Sequence, residues 1–393
     1  MYKPRVVFPF VEAGMGHIMP ARSIADAFEK KYGNYATVIR SNFFTESNQK
    51  PLITFEKNLV REVKKYNKSA VYGWLNMFAM DIFGTNLLSK VIMDVYIPGI
   101  KRAARSHLEE LLPDMVVSTH WATAYYAHNI ESKPINVSYV PDVQIVPLCS
   151  YPNDLTLVST ERGYKRALKK YKNRFNENNL KLVPFAIRNE AFSYSMDKKE
   201  NRRALGLDEN KLTIILFEGG YGIGRTKEIT KRLAKSDLDL TIIAICGKNK
   251  KLYDYLSTIK PNPNVKLIVE GFCENILSYL SCADIFLGKS GASSVAEPTY
   301  FGLAEIITKC ATSQEYDNAQ YYVKDVKNAL TIFSPKKVEK KIREFIENPQ
   351  LLFQMQNNAL KMHDNFGSEK IADILWEQLC LRYPALSSIK IEQ

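Results

Sequence analysis

Long apolar runs are missing from this sequence. No uncharged stretch approaches the roughly 20 residues that a membrane span requires, so a soluble or peripheral protein is expected. The opening Met1-Tyr-Lys-Pro-Arg-Val passes almost at once into a strand and does not read as a signal peptide. Cysteine is sparse: the six residues at 149, 246, 273, 282, 310 and 380 contain no C-x-x-C pair. Cys246 and Cys282 fall in or beside apolar runs, so buried free thiols and a reducing cytoplasmic compartment are expected. The five histidines are dispersed and no Cys/His spacing recurs, which leaves no metal-ligand pattern. Low-complexity tracts and short repeats are absent. Acidic residues are in deficit, 42 Asp+Glu against 54 Lys+Arg, a formal charge of +12. Such a surface favours polyanions: nucleic acid, an anionic membrane or nucleotide phosphates. Without a C₂H₂ pattern or an RNP-like aromatic motif, nucleic acid is not expected.

What is present is a chain of 393 residues, enough for two domains with their own cores. Apolar strands are expected over 6–10, 36–39, 115–118, 135–139 and 155–159. A charged linker is expected over 194–203. A second series follows over 212–217, 240–246, 265–269, 285–287 and 305–308. Helical patterns separate the strands, so the fold class is α/β with two doubly wound parallel sheets. In such sheets ligands bind beyond the carboxyl ends of the strands, and two facing sheets would enclose one cleft. Residues 55–112 read as mainly helical and aromatic, with a basic amphipathic piece over 57–68. A strongly basic helix is expected over 161–175, and closing helices over 336–347 and 369–380.

The segment 285–302 reads as a buried strand, a small-residue turn over 288–294, and a helix that Gly302 ends. A strand that enters a helix through such a turn presents free N–H groups and the positive helix end to an anion. Glu297 is expected in the first helical turn, where a carboxylate can accept hydrogen bonds from ribose hydroxyls. The plain alternative is a capping box, Ser294-x-x-Glu297, and this segment alone leaves both open. Pro298 removes one early helical N–H.

Two common phosphate motifs fail. Gly14-Met-Gly16-His17 follows the first strand, but Met19 and Arg40 stand where a dinucleotide fingerprint needs glycine and an acid. Gly288-Lys289-Ser290 resembles the end of a P-loop, but Ala283 replaces its leading glycine. His17, His120 and Asp142 remain at or beyond strand ends of the first half, where an imidazole or carboxylate can act as general base. The plain alternatives are a histidine holding the glycine turn for His17 and a hydrogen-bonded core histidine for His120. In the second half, the loop from Glu218 through Gly219, Gly220, Gly222 and Gly224 can offer N–H groups to a diphosphate. Gly271-Phe272 can frame a flat base, and Gln314-Glu315-x-x-Asn318 offers groups for sugar hydroxyls.

Together these motifs resemble the GT-B glycosyltransferases that include monogalactosyldiacylglycerol synthase and the processive diacylglycerol glucosyltransferases. The lipid II N-acetylglucosaminyltransferase is a more distant relative. Gly14-Met-Gly-His17 is similar to the family's G-x-G-H loop, Pro113-Asp-Met-Val-Val-Ser-Thr-His120 to P-D-x-I-I-S-x-H, and Val140-Pro-Asp142 to a T-D segment. Residues 289–297 are similar to K-P-G-G-x-T-x-x-E, and 313–318 to G-Q-E-x-x-N. The chain departs from the pattern at Ser290, Ala292 and Ala304, and no histidine follows Asp142 at the family distance.

The resemblance implies a GT-B fold, two facing Rossmann-like domains with the donor site in the cleft between them. Residues 1–193 would form the acceptor and membrane side, 204–366 the nucleotide-sugar domain, and 367–393 a helix packing back on the first domain. It implies inverting transfer of a hexose from a UDP-sugar to a lipid hydroxyl, with His17 or Asp142 as base. Donor contacts would come from Gly16, Gly220, Gly222, Arg225, Phe272, Lys289, Ser290, Gly291, Ala292, Ser293, Glu297, Gln314, Glu315 and Asn318. His120 and Trp74 would lie on the acceptor side. No metal and no cofactor beyond the UDP-sugar donor is implied. The sparsely charged stretch 69–80, beside basic 57–68, suits a surface dipping into an anionic bilayer at the inner face of the cell membrane. The alternative there is a buried helix beside a solvated basic one. Rival activities are transfer to a non-lipid acceptor and UDP-sugar epimerisation.

Overall fold

The structure, a computed structural model, describes residues 2–12, 15–69, 71–73, 75, 98–128, 130–150 and 153–389. Its contacts divide the chain into two compact units. The first lies within Met1–Val63, Leu75–Asn189 and Asn365–Gln393, the second within Lys64–Trp74 and Glu190–Asp364.

The first unit is built on a parallel six-stranded sheet of β1 (Arg5–Phe10), β2 (Thr37–Asn42), β3 (Met115–Ser118), β4 (Ile135–Val140), β5 (Leu155–Val158) and β6 (Leu180–Leu182), in the order β2-β1-β3-β4-β5-β6. Strands covered on both faces must be apolar at consecutive positions. Accordingly β3, β4 and β5 are buried at every residue. The helix Met15–Tyr32 packs on this sheet, and the helix Glu369–Arg382 packs on that helix. Ile371, Leu375 and Leu379 recur every four residues and join Ile24 and Phe28 in one core. Trp376 stacks on Tyr32 with centroids 4.7 Å apart. Each such buried aliphatic side chain contributes about 1.5–3 kcal/mol.

The second unit holds β7 (Leu212–Phe217), β8 (Leu240–Ile245), β9 (Val265–Glu270), β10 (Ile285–Lys289), β11 (Ala304–Lys309) and β12 (Ala329–Thr331), all parallel, in the order β12-β11-β10-β7-β8-β9. Read from β9, this is the 3-2-1-4-5-6 order of dinucleotide-binding sheets. Each sheet therefore reverses its strand order at one place, between β1 and β3 in the first and between β7 and β10 in the second.

Some expectations shift. The edge strands β6 and β12 escape sequence reading because three residues carry no periodicity. The segment 194–203 is no plain linker, for it contains the helix Lys198–Ala204. Asp197 caps that helix by accepting the N–H groups of Lys199 and Glu200. Arg202, 5% exposed, ties it down by donating to the carbonyls of Cys282 and Glu209 and pairing with Asp284 at 2.5 Å. The basic helix of the first unit ends earlier than expected, at Glu161–Lys170. Trp74 and most of the stretch 69–80 lie outside the described residues. Among the described residues no helix is long and apolar enough to cross a membrane.

Candidate functional site

In the first unit the switch point brings two histidines together. The first helix begins at Met15, so Gly16 and His17 belong to its opening turn rather than to the loop expected before it. Gly14 lies outside the described residues. His17 Nδ1 sits 2.7 Å from the carbonyl oxygen of Thr119, just past β3, and Thr119 Oγ1 donates to the His17 carbonyl at 2.7 Å. A carbonyl only accepts, so Nδ1 carries a proton, and in the neutral imidazole the lone pair then lies on Nε2. That is the form of a general base. The ring of His120 meets that of His17 edge-on, centroids 4.9 Å apart.

His120 is 5% exposed and does structural service. Its Nδ1 accepts the Ala122 N–H at 3.2 Å, and its carbonyl accepts the Thr123 hydroxyl, capping the helix Trp121–Ala127. Burial, with His17 adding to it, pushes the His120 pKa well below 6.5. His120 thus stays neutral, and His17 is the half-buried imidazole of the pair. Asp142 follows β4, the next strand along, and is also half-buried. Its charge helps raise the half-buried Cys149 thiol to about 12, after desolvation itself. Upstream, the buried Glu56 carboxylate accepts the backbone N–H of Glu12 at 2.9 Å and the Thr45 hydroxyl, fixing the chain that leaves β1.

In the second unit the loop after β7 and the turn after β10 leave neighbouring strand ends, with Gly288 paired to Phe217. A register shift between Gly288 and Lys289 marks the end of β10. The helix that follows is Ala292–Tyr300, and its N-cap is Gly291, with no side-chain cap. This corrects two expectations. Ser294 is already helical, so the Ser294-x-x-Glu297 capping box does not form, and Glu297 sits in the second turn rather than the first. Ala292 and Ser293 open the helix, half-exposed. Pro298, seventh in the helix, withholds the N–H that would return to the Ser294 carbonyl. The far end closes in a Schellman motif around Gly302 (φ 68°), with Leu303 N donating to Pro298 and Gly302 N to Thr299. Glu297 is 4% exposed.

Polar side chains lock this turn to the next one. Lys289 Nζ pairs with Glu315 Oε1 at 2.8 Å, and Glu315 Oε2 accepts the Ala311 N–H at 2.7 Å. Ser290 Oγ donates to the Glu315 carbonyl at 2.6 Å, and buried Asn318 donates to the Ser290 carbonyl at 3.1 Å. Lys289, Ser290, Glu315 and Asn318 are thus one hydrogen-bonded unit, with Gln314 on the same helix, Ser313–Tyr321.

The glycine loop has its own packing logic. Gly222 (φ 55°) lies so close to the Cys246 carbonyl that a Cβ would come within 2.0 Å of its oxygen. Gly220 receives the Lys248 N–H at 2.8 Å. Gly222 therefore seats the loop on the turn after β8. Arg225 is exposed and stands at the N-cap of the helix Thr226–Ala234. Phe272, 50% exposed beyond β9, has Lys248 Nζ 5.7 Å from its ring centre. Among the described residues no group of three or more His, Cys, Asp or Glu side chains could hold a metal ion.

Sequence reasoning gave no role to Thr119 or Glu56. Thr119 meets His17 across 102 residues and Glu56 meets the Glu12 N–H across 44, so neither contact is visible in local spacing.

Residues 225–373 match the family described as the glycosyltransferase family 28 C-terminal domain. Over 371 residues the chain is 24% identical to monogalactosyldiacylglycerol synthase 3 of Arabidopsis thaliana, covering 89% of this chain and 76% of that one. It is 22% identical over 378 residues to the processive diacylglycerol beta-glucosyltransferase of Bacillus subtilis (strain 168), covering 95% of each. Its fold is similar to that of MurG from Acinetobacter baumannii, with a TM-score of 0.60 and 15% identity over 96% of this chain and all of that one. The match to the glycosyltransferase family 28 C-terminal domain falls mostly on the second unit, and the resemblance and GT-B fold read from the sequence are borne out.

Proposed function

We propose that this glycosyltransferase moves a hexose, with inversion, from a UDP-sugar to a lipid hydroxyl, that of diacylglycerol or a glycosyl-diacylglycerol. The carrying observation is that the glycine loop after β7 and the turn after β10 flank the switch point of the second sheet. There, loop N–H groups and the starts of the helices Thr226–Ala234 and Ala292–Tyr300 suit the donor diphosphate. Arg225 and Lys289 add positive charge, Glu297 takes the ribose, and Phe272 flanks the uracil. Gln314, Glu315 and Asn318 take the sugar. His17 removes the acceptor proton through Nε2, a role its bond to Thr119 prepares. Asp142 is the alternative base.

The lipid acceptor is supported by the relatives, both named for diacylglycerol lipids. A peripheral place on an anionic membrane, at its cytoplasmic face, is supported by exposed cations. These are Lys57, Arg61 and Lys65 on the helix Lys50–Lys68, and Lys165, Lys169 and Lys170 on Glu161–Lys170. Each contributes on the order of 1 kcal/mol near such a surface. Incubation with a panel of UDP-sugars and anionic liposomes containing diacylglycerol, followed by mass analysis, tests the reading. A glycolipid one hexose heavier than its acceptor is the expected product. An isomeric nucleotide sugar without transfer would show an epimerase, and transfer only to a soluble acceptor would remove the lipid.

A further inference from the structure

Glu218 follows β7 directly, ahead of the glycine loop, and is only 2% exposed. Its Oε2 accepts both the backbone N–H and the hydroxyl of Thr226, each at 2.9 Å. Its Oε1 accepts the Thr308 hydroxyl from β11 at 3.0 Å, and that hydroxyl also lies 3.1 Å from the Gly288 carbonyl on β10. One carboxylate therefore joins the first residue of the helix Thr226–Ala234 to the end of β11, whose Thr308 hydroxyl also lies beside β10. The backbone of Gly224 lies against it so closely that a Cβ there would stand 2.0 Å from Oε2. A cation accompanies the acid: burial lowers the Lys309 pKa, and Glu218 is the foremost group opposing that fall. A threonine or serine could cap this helix without burying a carboxyl group, whose removal from water is costly. The acid thus does more than cap.

We propose that Glu218 is a positioning residue for the donor diphosphate, holding the 219–225 loop and the first turn of the helix behind it in the anion-receiving conformation. This rests on the donor-site reading above. Gly224 then has to be glycine because the carboxylate occupies the space of its side chain.

The test is UDP titration calorimetry on the full chain, with melting temperatures measured in parallel. Wild type should bind UDP; absence of binding would overturn the donor-site reading and this proposal with it. With wild type binding, Glu218→Ala should weaken UDP about tenfold or more, the scale of one lost charge-assisted hydrogen bond. Glu218→Gln, which keeps one acceptor oxygen, should fall between the two. Gly224→Ala should weaken UDP in wild type but add nothing in the Glu218→Ala background, a non-additivity expected of two groups in contact. A folded Glu218→Ala protein with a lower melting temperature and unchanged UDP affinity would overturn Glu218's role alone, as would strict additivity with Gly224→Ala. Should Glu218→Ala not fold, Thr308→Val removes a single arm, and unchanged UDP affinity in that variant counts against the proposal in the same way.

Discussion

Glu305 offers a pH test of how the second unit is held together. Its side chain is fully buried on β11, where Oε1 accepts the Thr299 hydroxyl at 2.7 Å and lies 3.5 Å from Asn328 Nδ2. Glu305 Oε2 and Asn328 Oδ1 have no hydrogen-bond partner among the described residues. Two unpartnered acceptors lack a donor, and a protonated carboxyl supplies one. Burial accordingly drives the Glu305 pKa well above 4.5, against the pull of Thr299 and Asn328. Because the folded pKa is raised, the folded protein holds a proton that the unfolded chain has released. The associated stability is fully present below pH 4.5 and is lost as pH rises towards the folded pKa, at about 1.4 kcal/mol per pH unit within that window. Glu305→Gln keeps an acceptor for Thr299 and supplies a permanent donor, so its stability should lack this slope. Urea unfolding of both proteins at pH 5, 6, 7 and 8 should show the variant gaining on wild type as pH rises from 5, until the folded pKa is passed. A difference that stays constant across that range would refute the protonated carboxyl.

Two substitutions address the proposed roles. Glu297→Ala should weaken UDP-sugar binding by about tenfold, the scale of one lost charged hydrogen bond, with a smaller effect on melting temperature; a fall in melting temperature alone would reduce Glu297 to a structural residue. His17→Ala should lower turnover by about 10²–10⁴-fold, the range for a lost general base, while UDP binding stays within twofold of wild type. Unchanged turnover would remove His17 as the base and direct attention to Asp142.

Much of the architecture was legible because parallel strands covered on both faces must be apolar throughout. The runs at 212–217 and 240–245 announce themselves that way, and the small-residue turns after strands mark where an anion can be met. Local chemistry also excluded the dinucleotide and P-loop motifs from single residues, Met19, Arg40 and Ala283. Helix starts were less legible. Ala292 begins a helix earlier than the apparent capping box at Ser294 suggests, because sheet packing stabilises a first turn that has no side-chain cap.

By itself, then, the sequence determined two apolar β/α series, the glycine loop, the turn at 288–294 and the polar residues at strand ends. Only the tertiary structure decided what those residues touch. Strand order brings Thr119 to His17 across 102 residues and Thr308 to Glu218 across 90. It also turns Ser294 and Glu297 from an apparent cap into helical residues. Spacing along the chain records local geometry, whereas a hydrogen bond between strand ends depends on which strands become neighbours, and that is settled by burying both faces of the sheet at once.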